Sequence, residues 1–290
     1  MTAPTSDVPV GSHDQRVVEA VFGGGLLSPR RAGPATRFRQ LVVSWWVHLK
    51  MLAVDPFTGL LMVVWPLFFA TAAFLVFRQS GDPDAMVYAG LGAAVMGTWS
   101  AVATSASSTL QRERWTGTLE LLVSTPTPFA AVLVPITTAM ACMGTYCMVG
   151  TLLWGWLVFG VEIPVADPLA FGVAVLTTIF SVAMVGFLLA VAVVRYRTAW
   201  AFGNLLEYPG WLLCGFLVPV GLLPDWAEWI ANALPPTWGM AALRSAAAGG
   251  SPWGDIGICL ALGLGYTLVA GLVAETVLRS ARRHATLALS

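Results

Sequence analysis

Charge is what this chain has least of. Only 10% of its 290 residues are Asp, Glu, Lys or Arg, against about 25% in soluble domains. A single lysine, Lys50, stands in the whole sequence. A Walker loop that cradles nucleotide phosphates needs a lysine after its glycines. Lys50 sits instead in His48-Leu49-Lys50-Met51, so no ATPase site can be built from this chain. Histidine is equally scarce, and His13, His48 and His284 are scattered through tail, helix and C-terminus. A metal site takes about three or four converging ligands, which these cannot supply. No HExxH, no GxSxG and no pair of loop carboxylates occurs, leaving no catalytic constellation. The net charge is zero, so bulk charge says nothing about an acidic or nucleic-acid partner, and the distribution of the charges is the informative part. Cys142, Cys147, Cys214 and Cys259 all fall in apolar runs, without zinc or redox spacing, and read as small hydrophobes. The first 35 residues are polar and rich in Gly and Pro, with no apolar core of a signal peptide. They are expected to form a flexible cytoplasmic tail.

What is present is apolar. Hydrophobic residues make up 57% of the chain and the mean hydropathy is +0.77. A globular fold of this length could not hide that much apolar surface from water. Six runs are each long enough to cross a bilayer, which takes roughly 20 apolar residues. They are Gly59–Phe77, Ala85–Leu110, Phe129–Gly160, Pro168–Val194, Ala199–Leu223 and Ile256–Leu278. The fifth is interrupted by Asn204, Glu207 and Pro209, and the sixth holds Glu275 near its end. The expected fold is therefore an all-α membrane protein with six transmembrane helices, occupying residues 56–280. Basic residues orient it. Thirteen of the fifteen Lys and Arg lie before span one, between spans two and three, between four and five, or after span six. Only Arg78 and Arg244 lie in the opposite loops. Both termini, including residues 281–290 as a short tail, are therefore expected in the cytoplasm.

A further helix is expected at 36–55, ahead of the first span. Phe38, Leu41, Val42, Trp45, Trp46, Leu49 and Leu52 fill one arc, while Arg37, Gln40, Ser44, His48 and Lys50 fill the rest. An apolar face with two tryptophans against a basic face is the pattern of a helix lying in the headgroup layer. Between spans five and six, the segment 224–253 holds Trp226, Trp229, Trp238 and Trp253 and is split by Pro235-Pro236. Two short re-entrant helices dipping into the outer layer fit it, with Trp226 and Trp229 as interface anchors.

The longest structured cytoplasmic loop is expected at 111–128. Gly117 supplies a turn, Thr116 or Thr118 can cap a short helix, and Glu120 lies in its first turn, where the helix dipole favours a carboxylate. Pro126 and Pro128 end it. Leu119, Leu122 and Val123 give it an apolar side, which a plain connector in water would not need. Arg112-Glu113-Arg114, then Gly117-Thr118-Leu119-Glu120, Leu122 and Thr125-Pro126, resembles the cytoplasmic signature of the type-2 ATP-binding-cassette (ABC) permeases. These are the six-helix membrane subunits of drug, polyketide and polysaccharide exporters. Pro209, Gly215, Pro219, Leu223-Pro224, Trp226, Pro235-Pro236, Ala242-Leu243-Arg244 and Gly249 resemble the same family's stretch before the last span. The resemblance implies that Arg112, Glu113, Arg114, Gly117, Thr118, Leu119 and Glu120 dock an ABC ATP-binding subunit, present in two copies. ATP and magnesium would be held by that partner and no cofactor by this chain. It also implies a second permease subunit, identical or homologous, and residence in a bacterial plasma membrane, with export of an amphipathic or lipid-like substrate.

Glu207 departs from what the family pattern requires. A carboxylate about eight residues into a span is unfavourable in hydrocarbon unless it faces protein or water. Asn204, Glu207 and Trp211 share one helix face by spacing and are expected at the substrate path or the seam between permeases. Hydrogen bonding for packing alone is the competing account. An ion-coupled secondary transporter using Glu207 and Glu275 is the alternative function, although no inverted repeat is evident.

Overall fold

Polar punctuation starts the long helices. Asp82 precedes Pro83 and accepts the backbone N–H of Asp84 at 3.0 Å. Asp167 precedes Pro168 and accepts from Leu169 and Ala170 at 3.1 and 3.0 Å. Each carboxylate satisfies N–H groups that a helix start leaves open, and the proline brings no N–H of its own. The computed structural model describes residues 34–54, 56–79, 81–115, 130–162, 164–195 and 200–284. Nine α-helices and no strand occur among them: α1 (Pro34–Val54), α2 (Pro56–Arg78), α3 (Pro83–Trp115), α4 (Ala130–Phe159), α5 (Pro168–Arg195), α6 (Trp200–Leu213), α7 (Asp225–Ala233), α8 (Pro235–Ala247) and α9 (Trp253–His284). The chain divides into residues 1–40 and 41–290. The first unit is described at 34–40, the opening turns of α1; the second holds the remainder of α1 and the other helices.

Among the described residues, four helices are long and apolar enough to cross a membrane: Asp84–Val102 in α3, Ala131–Phe159 in α4, Pro168–Ala192 in α5 and Trp253–Thr276 in α9. Helix α2 contributes a shorter apolar stretch, Pro66–Arg78. The backbone of such helices is satisfied internally, and several of their hydroxyls bond back to it. Thr137, Thr138, Thr177 and Thr178 each donate to the carbonyl four residues back.

Helix α3 is the central element. It packs on α2, α4, α5, α6 and α8, and 78% of its apolar stretch is buried, against 22% for α9. Leu91, Val95, Trp99 and Val102 enter one core with Met140, Val182, Met184, Phe187, Trp211, Phe216 and Leu243. Helix α9 packs on α5 and α8 and leaves Leu264, Leu268 and Leu272 exposed. An apolar surface of that extent is stable against hydrocarbon or a second protein, not against water.

Two expectations need correction. The fifth apolar run is expected to continue to Leu223, but α6 ends at Leu213 after 14 residues. Gly215 adopts a left-handed conformation, φ +73°. Its N–H bonds to the Leu212 carbonyl at 3.2 Å and the Phe216 N–H to the Trp211 carbonyl at 3.2 Å, the paired pattern that closes a helix on a glycine. A 3-10 turn follows at Val220–Leu222, between Pro219 and Pro224. Apolarity alone carried the run forward; the glycine and prolines stop the helix. The second correction concerns the loop expected from Gln111. Helix α3 continues to Trp115, so Arg112, Glu113 and Arg114 lie on its last turns. Gln, Arg and Glu are good helix formers, so the helix outlasts the apolar stretch that starts it.

Candidate functional site

Helix α6 carries the one acidic side chain buried among the described residues. Glu207 is 6% exposed, although the solvation of a carboxylate normally keeps it at the surface. Its carboxyl makes a side-chain hydrogen bond with Ser100 on α3, itself buried. One turn later, Trp211 is buried on the same side of α6. Its ring meets Phe69 edge-on at 4.9 Å and Tyr208 at 5.0 Å. Trp99 lies across Gly210: a Cβ there would come within 2.5 Å of the Trp99 ring. The close approach of α3 and α6 therefore depends on that glycine. The indole N–H groups of Trp99 and Trp211 are both buried without an acceptor among the described residues. Buried indoles normally find a partner, so this contact concentrates a carboxyl, a hydroxyl and two unsatisfied donors in an otherwise apolar core. The expected pairing of Glu207 and Trp211 on one face is present. Asn204 lies on α6, its side chain outside the described residues.

Where α6 breaks, a cation closes it. Arg244 on α8 donates from Nη1 to the Gly215 carbonyl at 2.8 Å and from Nη2 to the Phe216 carbonyl at 3.1 Å. Its guanidinium lies 3.3 Å over the ring of Tyr88 on α3, and the Tyr88 hydroxyl donates to the same Gly215 carbonyl at 3.1 Å. A helix end offers carbonyls with partial negative charge, which a cation complements. Burial pushes Arg244 down to about 10, which still leaves it charged at neutral pH. The approach is tight, since a Cβ on Gly92 of α3 would collide with the Phe216 carbonyl oxygen. Sequence reasoning counted Arg244 as a basic residue of an opposite loop and as part of the Ala242-Leu243-Arg244 resemblance, without a contact for it. The signal for its role was an isolated arginine in an apolar helix, downstream of a Gly/Pro break.

The remaining candidates are dispersed. Gly117, Thr118, Leu119 and Glu120 lie outside the described residues, while Arg112, Glu113 and Arg114 are on α3 with their side chains likewise outside. On α1, Trp46 is half exposed and Lys50 lies 5.4 Å over its ring. Trp45 is less accessible and makes a side-chain hydrogen bond with Cys142 of α4, so the two tryptophans face different surroundings. On α7, Trp226 and Trp229 are 68% and 80% exposed, while Ala227 and Ala231 are buried. Glu275 is exposed on α9, far from the burial that distinguishes Glu207.

Comparison with known proteins agrees with this architecture. The family model described as ABC-2 type transporter matches residues 39–247. The search of curated proteins gives no match.

Proposed function

Starting from the fact that this chain belongs to the ABC-2 type transporter family, we propose that it is the permease subunit of an ABC exporter. The observation that carries the reading is the match from α1 through α8, joined to helices apolar enough to span a bilayer. Membership of the family implies an ATP-binding partner subunit. That requirement suits a chain whose single lysine has no phosphate-binding loop around it.

In this reading α2 to α6 and α9 make six crossings, with α6 and the turns after it completing the fifth. Helix α1 lies in the inner headgroup layer and α7 and α8 dip into the outer one, with Trp46, Trp226 and Trp229 at the lipid boundary. Both termini are cytoplasmic, residues 1–35 form a tail, and the membrane is a bacterial plasma membrane. The segment from Arg112 to Glu120 inserts into a cleft of the ATP-binding subunit. Two permeases, identical or homologous, enclose the pathway between them, and two ATP-binding subunits drive alternating access. Drug or lipid-like amphiphiles are the substrate class, since a pathway walled by such helices offers apolar surface with few polar points. Glu207, with Asn204 and Trp211, is one of those points. The ion-coupled alternative draws on the same carboxyl, but the family match favours ATP as the energy source.

The test is reconstitution. The chain and its ATP-binding partner, inserted together in liposomes, should accumulate an amphiphilic dye only with ATP and magnesium. Accumulation driven by a proton gradient without ATP would replace this reading with the ion-coupled one.

A further inference from the structure

Arg244 is a partly buried cation with no anion beside it among the described residues. Of the five N–H donors on a guanidinium, two hold the Gly215 and Phe216 carbonyls. The Nε–H is buried with no acceptor. Among the described residues no carboxylate forms an ion pair with it; Tyr88 is the group that interacts with its charge. Two carbonyl dipoles and a ring face compensate a full charge only in part, and a buried charge is destabilising unless paired.

A pocket of about 290 Å³ opens beside this cation. Tyr88 and Arg244 line one part of it, Asn232 and Thr237 another, and Trp238 and Met240 supply apolar wall. The ring of Trp238 is held in place by its N–H, which donates to the Asn232 carbonyl at 2.9 Å. Asn232 is exposed, and its side-chain amide can supply a second donor at the rim. The volume falls at the small end for ligand sites, roughly 300 Å³ upward, and suits a headgroup better than a whole lipid. Cation, exposed amide and apolar wall in one cavity fit a group that is anionic at one end and greasy at the other.

We propose that this pocket binds the anionic headgroup, phosphate or carboxylate, of an amphiphile, with Arg244 as the charge partner and Asn232 as a supporting donor. The occupant is either a bilayer lipid or the molecule the transporter moves; both present the same chemistry. The site stands apart from the exporter reading, because the headgroup would bind whether or not the chain transports it.

The full chain in detergent is titrated with dihexanoyl phosphatidylglycerol, dihexanoyl phosphatidylcholine and inorganic phosphate, and binding is read by calorimetry. The anionic short-chain lipid should bind at least tenfold more tightly than the zwitterionic one and than phosphate alone. Arg244→Gln should abolish that preference. Because Arg244 also closes the α6 break, Ala241→Trp serves as the variant that leaves the clamp intact. Ala241 is an exposed pocket-lining residue, and an indole there fills the cavity. Its thermal midpoint should stay close to wild type while affinity for the anionic lipid falls at least tenfold. Mass spectrometry of the purified wild-type chain separates the sources. A retained anionic phospholipid, lost in Ala241→Trp, identifies the bilayer lipid; an empty pocket that still takes added phosphatidylglycerol identifies an exchangeable amphiphile. Equal affinity for the two lipids, phosphate binding as tightly as phosphatidylglycerol, or wild-type affinity in Ala241→Trp overturns the proposal.

Discussion

Glu207 and Arg244 bring opposite charges to the same broken helix, the first about two turns before the glycine that the second grips. Arg244 has two carbonyls and an aromatic face, all on backbone or ring atoms that cannot turn away. Glu207 has a hydrogen bond with a serine hydroxyl, and two indole N–H groups in the same contact remain unsatisfied. The arginine fastens three elements, α3, α6 and α8, around the break. The glutamate is held by a partner that can rotate, in a place where other donors are unused. An ionisable side chain is therefore a fastener at one end of this stretch and an adjustable polar group at the other.

The sharpest way to break the comparison is to disrupt the fastened end. Gly92→Val would drive a side chain into the Phe216 carbonyl, backbone that cannot yield. A loss of about 3 kcal/mol or more is expected, seen as collapse of monodisperse yield and of the thermal midpoint. Wild-type stability would show that α3 does not press on the break. Arg244→Gln comes next. Charge-assisted hydrogen bonds contribute roughly 1.5–3 kcal/mol each, so a loss of about 3 kcal/mol in thermal unfolding is expected. Arg244→Lys should fall between, since an ammonium keeps the charge but not the fork that reaches both carbonyls. If Lys matched Arg, charge alone would explain the clamp.

At the adjustable end the effects on folding should be smaller and the effects on transport larger. Glu207→Gln keeps shape and hydrogen bonding, and should change stability by less than about 1 kcal/mol. The pH dependence of export should nevertheless differ from wild type, because the amide removes the titratable group. Export by Glu207→Gln that matches wild type at every pH, with Glu207→Leu lowering only folded yield, would make Glu207 as structural as Arg244. The smallest effect on folding is expected outside both ends. Leu119→Asp with Glu120→Lys should shift stability by no more than about 0.5 kcal/mol yet uncouple ATP hydrolysis from export.

How far these ends were legible differs for a physical reason. The apolar runs at 85–110, 129–160 and 168–194 read directly as helices, because hydrocarbon solvation is written in composition and length. Glu207 stood out for the same reason, as a charge where composition forbids one. The end of α6 did not stand out. It depends on a single left-handed glycine and on carbonyls whose partner, Arg244, is distant in sequence. Orphan carbonyls are invisible in a sequence, and an arginine between two apolar helices looks like a loop residue until the fold brings it over Tyr88. The charged turn at 111–115 misled in the opposite direction, since loss of apolarity marks the edge of a membrane layer and not the end of a helix.

The account rests most directly on where ATP is hydrolysed. The decisive measurement is phosphate release by this chain purified alone, and by the same chain co-purified with its ATP-binding subunit, each with and without the Leu119→Asp and Glu120→Lys double change. The account predicts no turnover by the chain alone, turnover in the complex, and loss of substrate-stimulated turnover in the double variant. Turnover by the isolated chain, or full substrate stimulation in the variant complex, would contradict it.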